Sequence, residues 1–194
     1  MKKAISTAAT MVLIDHQVGT MNFVKTCDRA LLEANARALA RAAVALDMPL
    51  VLTTSMEDNM QGPLMPALAE IAPRAYAERV RRVGVVNCWD DEAFAQACRA
   101  PGRRQMVIAG VTNDVCVAPP AISAAEEGYE VFVVIDAGGS PSAIADEMAI
   151  RRMERAGIEV TTTNALLADV ANNWASSEGG KIFPIIVEEI FNRS

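Results

Sequence analysis

The chain has 194 residues, 52% hydrophobic and 22% charged, with a net charge of −6. That size and composition suit one globular domain with a substantial core and exclude a disordered chain. The densest basic cluster, Arg79, Arg81 and Arg82, is too small to argue for nucleic acid, and no apolar run approaches the roughly 18 residues of a membrane span.

The first residues put Lys2 and Lys3 before an apolar stretch, the outline of a secretion leader. The stretch runs into Asp15-His16-Gln17 with no small-residue cleavage site, so a cytoplasmic protein with no cleaved leader is expected. Residues 8–15, "AATMVLID", form an apolar run closed by an acid, as in a parallel strand buried on both faces. Residues 28–46 read as a helix capped by Asp28, with Leu31, Leu32, Leu39 and Leu46 on its apolar face. Glu33, Arg37 and Arg41 follow at i,i+4 spacing opposite. A second strand over 48–55 leads into a loop, 56–66, rich in Gly, Pro and Met. A weaker strand over 81–86, a short helix over 90–99 and a strong strand over 104–110 come next.

The stretch "GVTNDVCVAPP" then bends into a helix over 119–127, because proline is tolerated in a first helical turn. Strand 130–137, helix 142–156 and strand 158–163 follow, and Asn164 is positioned to cap a last helix. Residues 176–194 begin with a Ser/Gly break and turn apolar. They are expected as a C-terminal arm or helix, packed either on a neighbour or on the chain's own core. Strands alternating with helices predict one α/β domain over residues 1–194, a three-layer α/β/α sandwich with a parallel, doubly wound, Rossmann-like sheet. Function should then sit at the carboxyl ends of the strands.

Two residues at those ends invite chemistry. Asp15 is either a capping acid or a proton acceptor. Cys116 lies at the amino end of a helix, where partial positive charge and unused N–H groups lower a thiol's pKa. Read otherwise, it is a small buried hydrophobe, the reading given to Cys27, Cys88 and Cys98. His16 is the one histidine, so neither a clustered Cys/His zinc site nor a Cys–His pair is expected.

Five blocks in order, "LIDHQVG", "TTSMEDNMQGPLMP", "NCWDDEAF", "IAGVTNDVCVAPPAISAAEEGYEVFVVIDAGGS" and "RRMERAGIEV", resemble the isochorismatase-like cysteine hydrolases, and within them the YcaC-like branch. The resemblance runs from about Thr7 to Trp174. It implies a six-stranded parallel sheet carrying an acid–base–cysteine triad: Asp15, Cys116 and, where the family commonly has lysine, Arg82. It implies a cis bond at Val111–Thr112, and an oxyanion site made by the backbone N–H groups of Thr112 and Cys116. Gln17, Phe23, Met56, Asn87 and Trp89 are candidates to line the pocket for a small-molecule substrate. The metal site of the family's nicotinamidases needs two histidines, so no metal and no cofactor are expected. The implied activity is metal-independent hydrolysis of a small amide or related C–N bond through an acyl-enzyme. A non-hydrolytic protein with a redox-sensing or ligand-binding thiol is the alternative. The implied assembly is a homo-octamer of two stacked tetramers.

Overall fold

A computed structural model describes residues 5–192. Lys2 and Lys3, on which the leader reading began, lie outside those residues, as do the last two of the C-terminal segment. Six strands make one all-parallel sheet: β1 (Thr10–Ile14), β2 (Leu50–Ser55), β3 (Val80–Arg82), β4 (Gln105–Gly110), β5 (Glu130–Val134) and β6 (Glu159–Thr161), in the order β3-β2-β1-β4-β5-β6. Order reverses between β1 and β4, which opens a crevice above their carboxyl ends.

Strand side chains alternate between two cores, as the pleat requires. Met11, Leu13, Val107, Ala109, Phe132 and Val134 face one side. Helices α1 (Arg29–Ala45), α2 (Pro66–Ile71), α7 (Thr163–Ala171) and α8 (Ser177–Ile186) close over it. Val12, Ile14, Met106, Ile108, Val131 and Val133 face the other, beneath α4 (Glu92–Arg99), α5 (Ala118–Glu126) and α6 (Ala143–Arg155). The short α3 (Pro73–Ala77) packs Ala75 and Tyr76 on the first core. This is the expected sandwich.

Several local expectations need correction. The third strand is three residues long and ends at Arg82, because Val83 to Val86 turn out into solvent beyond Gly84. Two short helices, each opened by a proline in its first turn, fill the stretch after the Met-rich loop. Asp28 caps α1 as expected, through Ala30 and Leu31, but Glu33 pairs back to Arg29, while Arg37 and Arg41 reach Glu188 and Glu189. Asn164 lies inside α7, whose start is held by the Asp136 carboxylate through Thr163. The C-terminal segment is a helix in its own core: Ile182, Ile185 and Ile186 are buried against α1 and α7.

Candidate active site

Asp15 follows β1 directly and has φ 55°, a left-handed conformation that aspartate tolerates better than most residues. Its N–H still continues the sheet, donating to Thr53 at 3.0 Å. The next two side chains fix the bend. His16 shares a 2.8 Å hydrogen bond with the Ala137 carbonyl beyond β5. Gln17 donates to the Ser55 and Gly62 carbonyls and accepts from the Ser55 N–H. Close approach of β1 and β4 brings the second half of the site near. A side chain on Gly110 would sit 2.6 Å from the Ile14 carbonyl, so only glycine lets these two strand ends lie together.

Arg82, last in β3, reaches across β2 to Asp15, and both side chains are 1% exposed. Its Nη2 donates to the two carboxylate oxygens at 2.5 and 2.6 Å, Nε to the Thr53 hydroxyl at 3.0 Å and Nη1 to the Val85 carbonyl at 2.8 Å. Burial opposes the guanidinium charge, but Asp15 more than offsets it, so the Arg82 pKa ends raised. Burial also dominates at Asp15, and holds its carboxyl above the ordinary range despite Arg82 and a hydrogen bond from the Cys116 thiol.

Cys116 lies on a single π turn, Asn113–Val117, that joins β4 to α5. Its thiol donates to Asp15, so Asp15, Arg82 and Cys116 converge at one end of the sheet. The surroundings of this thiol raise its pKa and do not lower it. Burial, and then the Asp15 charge, push Cys116 up to about 12, with the Thr112 backbone hydrogen bond and Arg82 pulling the other way. The helix-end argument fails because the sulfur is enclosed and faces a carboxylate. The Val111–Thr112 bond is cis. Of the two expected oxyanion donors, the Cys116 N–H is engaged, donating at 2.8 Å to the Thr112 carbonyl, which also accepts the Val117 N–H that closes the π turn. The Thr112 N–H is directed at the sulfur.

The expected pocket residues divide. Met56 and Phe23 are partly exposed beyond the strand ends. Met56 is tied to the site through its N–H, which donates to the Arg82 carbonyl at 2.9 Å. Gln17 is wholly buried by its backbone clamps. Asn87 caps the turn at Cys88–Asp90 and donates to Asp90 and Ser123. Trp89 packs into the second core against Phe94 and Tyr129, its indole donating to Glu127 at 2.7 Å. These three are fastenings of the scaffold. Sequence reading missed Thr53, which orients Arg82, and Cys88, a buried thiol pushed up by burial and within the electrostatic reach of Arg82, Asp15 and Cys116. A polar residue inside an apolar strand was the available signal for Thr53. A groove of about 780 Å³ lies at the opposite end of the sheet, along the starts of β2 and β3, and holds none of these groups.

The isochorismatase domain model matches residues 9–165. The chain is 38% identical to the Escherichia coli K12 protein described as "Probable hydrolase YcaC" over 173 residues, 89% of this chain and 82% of that one. It superposes on YcaC from Pseudomonas aeruginosa, solved with hexane-2,5-diol and covalent acrylamide, with a TM-score of 0.93 and 35% identity over 98% of this chain and 93% of that one. Against the E. coli structure, described as an octameric hydrolase of unknown specificity, the TM-score is 0.93 at 34% identity, over 99% and 93% of the two chains.

Proposed function

Starting from the fact that this chain belongs to the isochorismatase family of hydrolases, we propose that it cleaves a small amide or related C–N bond with Cys116 as nucleophile. One observation carries the reading. A buried carboxylate at Asp15 accepts from the Cys116 thiol while Arg82 holds its two oxygens.

At rest the thiol keeps its proton. As sulfur attacks the substrate carbonyl, the proton passes to Asp15, whose raised pKa suits it to receive one. Arg82 stays charged throughout, so it orients the carboxylate and balances its charge without moving protons. The Thr112 N–H, already directed at the sulfur, is the donor for the oxyanion. Asp15 returns its proton to the leaving nitrogen as the C–N bond breaks. Water, deprotonated by Asp15, then attacks the thioester, and sulfur leaves with that proton.

The competing reading, a redox-sensing or ligand-binding thiol on the same fold, gives a Cys116 that peroxide oxidises and no amide acylates. We extend the proposal to assembly. Trp174, Phe183 and Phe191 remain exposed on and beside the C-terminal helix, and the E. coli relative is octameric, so a homo-oligomer of the same order is expected. The test of function is intact-mass spectrometry during incubation with a panel of amides. A transient adduct on Cys116, absent in Cys116→Ala and not formed in Asp15→Asn, is the expected result. Turnover that survives Cys116→Ala overturns the mechanism.

A further inference from the structure

We propose that the substrate of this site is uncharged and carries an apolar substituent beside the scissile carbonyl, an inference that rests on the hydrolase reading above. The charges nearest the thiol, on the β2 and β3 loops and on the π turn itself, are already engaged, and the ammonium of Lys25 on the β1 loop is turned back onto the Asn22 carbonyl at 3.1 Å. Each nitrogen of Arg82 holds an acceptor, and its side chain is 1% exposed, so it cannot turn to a carboxylate or phosphate. On the loops around it, Glu57 is gripped by Arg79 at 2.7 Å, Arg81 is paired to Asp58 at 2.9 Å, and Asp114 accepts from the Ser140 hydroxyl at 3.3 Å.

What the same loops leave open is apolar. Met56 and Met60 follow β2, Val83, Val85 and Val86 follow β3, and Val115 immediately precedes Cys116; all six are exposed, Val83 by 90%. Two are fixed to Arg82 by hydrogen bonds of their backbones: Met56 through its N–H at 2.9 Å and Val85 through its carbonyl at 2.8 Å. Scattered exposed apolar residues mean little, but these six all lie on loops that leave the same end of the sheet as Cys116, which is where an open α/β sheet binds its ligands. An ionic group set against these valines and methionines would lose water without gaining a partner from them.

The test is alkylation of Cys116, followed by peptide mass mapping, with four reagents of matched warhead: iodoacetamide, iodoacetate, N-hexyl-iodoacetamide and N-(2-aminoethyl)iodoacetamide. Each rate is divided by that reagent's rate with N-acetylcysteine. The normalised rate should be about tenfold higher for the hexyl reagent than for iodoacetamide, and about tenfold lower for both charged reagents. The cationic arm matters most. If the Asp15 charge alone governed selectivity, the aminoethyl reagent would react faster. A Val115→Lys variant should restore iodoacetate selectively. Equal normalised rates, or faster reaction of either charged reagent, overturn the proposal. Loss of the hydrolase reading shows up separately, as alkylation rates unchanged by Asp15→Asn, because the reagent ratios do not depend on turnover.

Discussion

Replacing Arg82 by methionine removes one half of a pair whose side chains are both 1% exposed. The bonds to the two Asp15 oxygens, the Thr53 hydroxyl and the Val85 carbonyl go with it. Breaking one partner of a buried pair costs about 3–5 kcal/mol. At about 2–4 °C per kcal/mol for a chain of this size, the thermal midpoint should fall by roughly 6–20 °C at neutral pH. The dependence on pH is more diagnostic. Burial already holds Asp15 above its ordinary range, and without the arginine it rises further. A carboxyl raised in the folded state favours folding below its unfolded pKa, and that advantage is lost as pH climbs through the folded pKa. The penalty of the variant should therefore be smallest in acid and grow toward neutrality. Urea denaturation of both proteins across pH 4–8 reads this as a widening gap. A penalty that stays flat over the range would falsify the electrostatic account and leave only lost packing.

Asp15→Asn removes a charge that raises the Cys116 thiol, so thiolate absorbance should appear at lower pH in the variant even as hydrolysis is lost; an unchanged titration refutes the coupling. His16 is fully buried with its pKa lowered to about 4, so it stays neutral in the fold while the unfolded chain takes up a proton below about 6.5. Stability should then fall as pH drops from about 6.5 to 4, by about 3 kcal/mol in all at 1.36 kcal/mol per unit, and His16→Gln should flatten that slope in acid denaturation. Ending the chain at Ser176 uncovers the partners of Ile182, Ile185 and Ile186. At about 1.5–3 kcal/mol per side chain the loss is about 5–9 kcal/mol, comparable to the whole stability of a domain, so circular dichroism should show a greatly lowered or absent cooperative melt; a truncated chain that melts like the full one refutes the core assignment.

Strands were legible where burial on both faces writes an unbroken apolar run, as in residues 10–14, 105–110 and 130–134. β3 was not, because three residues carry no period, and Val83 to Val86 imitate a strand while lying in solvent. The positions of Asp15 and Cys116 were legible as strand ends. The direction of a side chain after a strand end was not: it depends on dihedrals such as the φ of 55° at Asp15. Gln17 therefore turns into the scaffold and Trp89 into the second core, where sequence placed both at the pocket. The protonation of Cys116 was misread for a related reason. A helix end is visible in sequence, whereas the enclosure of the sulfur and the carboxylate facing it arise from three separate strands.

β3 is an edge strand joined to β2 over only three residue pairs. Edge strands with so few ladder bonds open locally at lower cost than the centre of a sheet. If this one frays and withdraws Arg82, Asp15 loses the charge that lowers its pKa, and its carboxyl form gains ground. Fraying of the sheet margin is then also a proton-uptake event at its centre. Substitutions on α2 or α3, remote from the thiol, could tune the site's acidity by setting how often that margin opens.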